Sequence, residues 1–172
     1  ITCGEAPYLV SRYDTVSGYM IELSQRIGLL DRKLRVVSEN TQTEKEWLKW
    51  AIKSFQNIYG YDWQGDNVLL ARENLLFTFI DYYKAKFDKE PDIENKKKIA
   101  EILSWNIWQM DGLKFVIPES CKEVEEGQLT LFDMNTEKQP CPGCAKNDPY
   151  AHTGIYCIIK DWKAKKEVTF VS

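Results

Sequence analysis

The sequence predicts a mixed α/β fold built on a parallel sheet, followed by a small Cys/His-containing β extension. Three observations predict it. Two apolar runs end in an acid, Ile58-Tyr59-Gly60-Tyr61-Asp62-Trp63 and Asn106-Ile107-Trp108-Gln109-Met110-Asp111. Between them lie stretches with apolar residues at helical spacing, so the order strand–helix–strand–helix–strand emerges, as in a parallel α/β sheet. After Pro118 the chain turns acidic and loop-like, then cysteine-bearing. The expected division is therefore residues 1–118 and 119–172.

The elements follow in order. Residues 1–10 read as the end of a strand entering a turn at Gly4. Residues 11–42 read as largely irregular, and within them 27–37 fits a short helix or a strand equally well. Thr43 with Glu46 makes a capping box, and Trp47, Leu48, Ala51, Ile52, Phe55 and Ile58 then recur at helical spacing. A second helix starts near Asp66-Asn67 and carries Leu69, Leu70, Leu76, Phe79, Ile80, Tyr83 and Phe87. A third covers about 93–105. Residues 119–140 read as a loop. Residues 155–171 alternate well enough for a hairpin turning near 163–166.

Composition sets limits. The chain has 172 residues, 44% of them hydrophobic, which supports a real core and excludes a disordered tail. Six Trp, nine Tyr and seven Phe supply an aromatic core, or faces for stacking a base. The formal net charge is −3, unlike a stand-alone nucleic-acid-binding domain. If the protein works on DNA, the basic face is expected elsewhere in the protein or in a partner. No apolar run reaches the length of a membrane span. An odd number of cysteines, three of them near the single His, predicts a reducing, cytoplasmic setting. A first residue other than Met predicts a piece of a longer polypeptide.

An open parallel sheet binds nucleotides at the carboxyl ends of its strands. The sequence offers a turn at Gly4 and Glu5, a carboxylate for ribose hydroxyls at Asp62, a stacking face at Trp63, and an acid to meet adenine at Asp111. The plainer roles are turn capping for Asp62 and Asp111 and packing for Trp63.

Segment 58–80, with its Asn67-Val68-x-x-Ala71-Arg72-x-Asn74-Leu75 helix, resembles the second block of adenine-N6 DNA methyltransferases. Residues 106–113 are similar to the third block, and Cys3 to Leu9 to a modified first block. The chain thus resembles the S-adenosylmethionine-dependent DNA methyltransferase-like proteins of bacterial restriction-modification systems, the methylase or M subunits. The resemblance implies a partial Rossmann-like sheet of the class I methyltransferase type. It implies S-adenosylmethionine bound by Gly4, Glu5, Asp62, Trp63 and Asp111, and DNA as partner, reached through the full-length protein or another subunit. The family's Asn-Pro-Pro-Tyr motif does not occur in the chain; the nearest string contains Asp148-Pro149-Tyr150. A non-catalytic scaffold or DNA-recognition subunit is the alternative reading.

Two further signals stand in the extension. Cys141-x2-Cys144-x7-His152-x4-Cys157 has the ligand types and knuckle spacing of a structural zinc site, with Cys121 as a substitute ligand. Gln128-Leu129-Thr130-Leu131-Phe132 resembles the bacterial sliding-clamp-binding pentapeptide, in which Gln128 makes polar contacts and Leu131 and Phe132 enter an apolar groove. A zinc-stabilised module docking on the clamp is the third reading.

Overall fold

The computed structural model describes residues 2–126 and 137–171. The pentapeptide 128–132 lies outside the described residues. The chain forms two compact units, Ile1–Trp108 and Gln109–Ser172. The first unit ends before position 118 because residues 115–117 pair with 155–157 inside the second. Val116 and Tyr156 form an antiparallel bridge there, and Ile117 N–H donates to the Ile155 carbonyl at 2.9 Å.

In the first unit four helices surround a very small parallel sheet. α1 (Leu29–Asn40) settles the 27–37 ambiguity as a helix, and it buries Leu30 and Leu34 one turn apart. α2 (Glu44–Gln56) starts at Thr43, whose Oγ1 accepts the Glu46 N–H at 3.3 Å, the predicted cap. Its inward stripe is Trp47, Ala51 and Phe55. α3 (Gly65–Phe87) buries Val68, Ala71, Leu75, Phe79, Tyr82 and Tyr83, and stops at Asp88 in the left-handed region. α4 (Ile93–Asn106) begins at Asp92, whose carboxylate accepts the Asn95 N–H at 2.7 Å.

The core is aromatic. The fully buried Trp47 ring lies 5.6–5.8 Å from Phe79, Tyr83 and Phe87, and its Nε1–H donates to Ser38 Oγ. Such tilted and edge-on pairs add about 0.5–1.5 kcal/mol each beyond their area burial.

β1 (Gly60–Asp62) and β2 (Ile107–Gln109) pair in parallel, as the sequence predicts. Thr2 adds a parallel bridge on the other side of β1, and Cys3 N–H donates to the Tyr61 carbonyl at 2.8 Å. Two side chains lock this small sheet to the helices. Asn106 is wholly buried, and its Nδ2 donates to the carbonyls of Phe55 and Ile58, where α2 ends and the chain enters β1. The Arg72 guanidinium on α3 donates to the carbonyls of Ile107 and Ser104, where α4 gives way to β2.

The second unit contains little helix. β3 (Val124–Glu126) and β4 (Glu137–Gln139) pair antiparallel, with Val124 opposite Gln139. They lie inside the stretch expected to be loop; backbone pairing, which leaves no hydrophobic period in such short strands, makes the difference. α5 (Pro142–Lys146) is a single turn with proline at its start. β5 (Ile158–Asp161) and β6 (Lys166–Thr169) form the predicted hairpin, turned by Asp161 Oδ1 accepting the Lys163 and Ala164 N–H groups. No helix among the described residues is long and apolar enough to cross a membrane.

Asn106→Ala leaves the carbonyls of Phe55 and Ile58 without their donor. Each buried polar group so orphaned costs about 1–3 kcal/mol. We expect a loss of that order in urea unfolding monitored by tryptophan fluorescence; an unchanged midpoint would remove Asn106 from the account.

Candidate metal centre and ligand cleft

Four side chains of the second unit converge on one point. The Sγ atoms of Cys121, Cys141 and Cys144 stand 3.6, 3.6 and 3.7 Å from Nδ1 of His152. All four ligand atoms lie within 4.8 Å of one another. One imidazole nitrogen carries at most one proton, so it cannot hydrogen-bond three sulfurs at once. A tetrahedral ion with bonds of about 2.3 Å to sulfur and 2.0–2.1 Å to nitrogen sets each S···N edge at ~3.6 Å. The geometry is that of a Cys3His group able to hold a metal such as zinc.

Local structure delivers each ligand. Cys141 and Cys144 flank the first turn of α5, where the Ala145 N–H donates to the Cys141 carbonyl. Asn147 ends that turn in the left-handed region at φ 54°, sending the chain back toward His152. Cys121 arrives from the other side. Lys122 N–H donates to Thr153 Oγ1, which in turn donates to the Lys122 carbonyl. Ile155 N–H donates to Ser120 Oγ. Two glycines mark the close approaches. A Cβ at Gly143 would lie 2.6 Å from the His152 Nδ1, and one at Gly154 would lie 3.1 Å from the Cys121 sulfur.

The surroundings move two of the thiols in opposite directions. Burial opposes ionisation of Cys141, but hydrogen bonds from Thr153, the Cys144 amide and His152 outweigh it and hold the thiol down at about 5. The Thr153 N–H donates to the Cys141 sulfur at 3.2 Å. Burial, then the neighbouring Cys141 and Cys144, push Cys121 up to about 11. Adjacent thiolates repel one another, and a bound divalent cation removes that penalty.

Cys157 is not a member of this group. It is buried, its Sγ faces the Gln109 carbonyl at 3.5 Å, and burial raises its thiol to about 11. The ladder explains the exchange: Cys157 N–H donates to the Phe115 carbonyl, whereas Cys121 lies further along, opposite Thr153 and Gly154. The Asp148-Pro149-Tyr150 string serves the same loop. Asp148 Oδ1 accepts the Tyr150 N–H, and the Pro149 carbonyl accepts the Tyr156 hydroxyl, which itself accepts the His152 N–H.

In the first unit Gly4 and Asp62 meet at the carboxyl edge of the parallel strands. Gly4, at φ 51°, donates its N–H to Asp62 Oδ2 at 3.0 Å. Asp62 Oδ1 accepts the Gln64 N–H and the Asn67 Nδ2, both at 3.0 Å. The Glu5 carboxylate accepts the Tyr13 hydroxyl, and the Glu5 carbonyl accepts Asn74 Nδ2. Beside this turn lies a cleft of ≈ 430 Å³ lined by residues that include Gly4, Glu5, Tyr8, Tyr13 and Asn67. Trp63 is half-exposed. Asp111 belongs to the second unit, buried in its own turn, where Oδ1 accepts the Leu113 and Lys114 N–H groups. A larger hollow of ≈ 620 Å³, lined by residues such as Leu23, Arg35, Tyr82 and Lys86, contains none of the residues the sequence singled out.

Comparison with known proteins brings no match: no family model fits the chain, and no curated protein or solved structure is significantly similar to it.

The ligand set has a direct test in cobalt(II) titration, read by thiolate charge-transfer and d–d absorption. Wild type and Cys157→Ser are expected to bind one ion; Cys121→Ser is expected to bind at least tenfold more weakly. Binding weakens as pH falls, because protons compete for thiolate and imidazole. Loss of the site in Cys157→Ser and its survival in Cys121→Ser would exclude the assignment.

Proposed function

We propose that the chain is the cofactor-binding portion of an S-adenosylmethionine-dependent, adenine-N6 DNA methyltransferase-like protein, with a Rossmann-like sheet of the class I type, joined to a zinc-stabilised module. One observation carries the reading: the ≈ 430 Å³ cleft lies beside the Gly4 turn, which meets the acid at the end of β1. That is where an open parallel sheet binds nucleotides, and the volume suits a ligand of this size.

The motif residues behind the resemblance support it. Asn67 holds Asp62, Asn74 holds the Glu5 carbonyl, Arg72 holds the end of α4, and Val68, Ala71 and Leu75 are buried beneath them. This helix therefore organises the floor of the cleft. Tyr8, largely exposed at its rim, offers a stacking face. A carboxylate has about four lone-pair sites, and three donors already occupy those of Asp62. The ribose hydroxyls would share it with Gln64 and Asn67 rather than have it alone.

A zinc ion held by Cys121, Cys141, Cys144 and His152 has four protein ligands and no open position, which suits a structural role. The scaffold reading draws on a different observation. Asp148-Pro149-Tyr150, the nearest string to the target-base motif, is spent on the turn carrying His152.

Calorimetry with S-adenosylmethionine and S-adenosylhomocysteine tests the cofactor reading. Wild type is expected to bind both. Tyr8→Ala should weaken binding about tenfold at unchanged thermal stability, since stacking on one ring is worth about 1–1.5 kcal/mol. Asp62→Ala should lose binding and stability together, the latter by about 1.5–3 kcal/mol for hydrogen bonds to a charged group. Wild type binding neither nucleoside would leave the scaffold reading in its place.

A further inference from the structure

The whole-chain charge of −3 places no basic face on this protein, yet the surface of α1 and α2 has one. On α1, Leu29, Arg32, Lys33 and Val36 share a helix face at one-turn spacing. A groove of ≈ 360 Å³ runs along them and is closed by Ser54 of α2. On α2, Trp50 lies one turn before Ser54, whose Oγ donates to the Trp50 carbonyl. The Trp50 ring is 45% exposed, with Lys53 Nζ 4.6 Å and Lys49 Nζ 6.0 Å from its centroid.

Six other cations of this unit are engaged by acids. Arg12 and Arg26 are tied to Asp81, Lys84 and Lys96 to Glu90, Lys89 to Glu44, and Lys97 to Glu94. Arg32, Lys33, Lys49 and Lys53 form no ion pair among the described residues. The acid nearest to them along α2 is Glu46, one turn before Lys49 and Trp50. Unpaired cations beside an exposed indole and exposed Leu29 and Val36 combine two affinities, for phosphate and for a flat apolar ring.

We propose that the α1–α2 face binds an unpaired strand of nucleic acid, with Arg32, Lys33, Lys49 and Lys53 on the phosphates and Trp50 stacking on a base. Single-strand sites are built from these two elements, a basic groove tracking the backbone and aromatic side chains taking base faces. Duplex DNA would offer the phosphates but no free base for Trp50. The inference extends the DNA partner of the proposed function and locates its contact on residues of this chain other than those lining the cofactor cleft.

Fluorescence anisotropy with a labelled mixed-sequence single-stranded DNA of about 12 nucleotides, within the usual range of single-strand site sizes, tests it. Four phosphate contacts predict a log–log salt slope of about −2.8. Lys49→Glu/Lys53→Glu should weaken binding at least tenfold and flatten the slope. Trp50→Ala should weaken it about tenfold with the slope kept, because stacking is salt-independent. The charge-matched Lys96→Glu/Lys97→Glu on α4 should bind like wild type. The proposal falls if that control weakens binding as much as the α2 pair, if duplex DNA binds as tightly as the single strand, or if anionic phospholipid vesicles compete fully through Trp50. S-adenosylmethionine calorimetry on Lys49→Glu/Lys53→Glu separates the two readings. Intact cofactor binding with lost DNA binding supports the face, and DNA binding in a wild type that takes no cofactor removes the cofactor reading alone.

Discussion

Among its described residues the second unit buries little apolar surface. Its buried apolar side chains among the described residues are Met110, Val116 and the thiols of Cys141 and Cys157. A segment of this size normally needs a disulfide, a metal or a partner in place of a core. All five cysteines are free, so no disulfide does this work. An ion held by Cys121, Cys141, Cys144 and His152 would do it, fastening three separate stretches of chain. Thr153 already ties the turn of α5 to residues 120–122, through the Cys141 sulfur and Lys122, and an ion would close the same junction. In such units the free energy of metal binding is in large part the free energy of folding.

The first unit solves the opposite problem. Its aromatic core around Trp47 is ample, but its sheet is only a few residues wide and long. Polar side chains therefore replace strand length in fixing the carboxyl edge. Asp62 gathers the Gly4 amide, the Gln64 amide and Asn67, while Asn106 and Arg72 occupy the carbonyls at the element junctions. Ala6, wholly buried at φ 68°, shows that the adjoining turn is held in a conformation an L-residue enters at a cost of about 1–2 kcal/mol. Strain of this kind persists where the surroundings over-determine the backbone.

Much of this was legible in the sequence because it is local. Thr43 with Glu46, the acid that ends β1 and the 155–171 hairpin each carry their signal within one element. The stripe expected on α3 is corrected: Leu69 and Leu70 face solvent and Val68, Ala71 and Leu75 are buried instead, while β2 stops at Gln109, short of Asp111. α1 was ambiguous because its buried stripe is narrow, Leu30 and Leu34 beside the buried acid Asp31. Among the metal ligands, Cys141, Cys144 and His152 lie within a dozen residues and announce themselves. Cys121 does not, because pairing of 115–122 with 153–157 brings it in from a distance. The same ladder sets Cys157 beside Phe115, so nearness in sequence pointed to the wrong third sulfur. The fourth residue could have been found from Gly154, which only a close-packed neighbour requires. The basic face of α1 and α2 was hidden for another reason: net charge is a sum, and a sum erases where the charges stand.

Cys121 and Cys141 reach the same point, each with its sulfur 3.6 Å from the His152 nitrogen. The chain between them is thus a closed ring in topology, whatever course it follows. The entropy of closing a ring rises only with the logarithm of its length, by about 0.6 kcal/mol for each doubling. Evolution or an engineer can lengthen, shorten or exchange that ring almost without charge to the fold. It is a natural place to graft a foreign peptide, displayed from a base whose spacing does not change with its cargo.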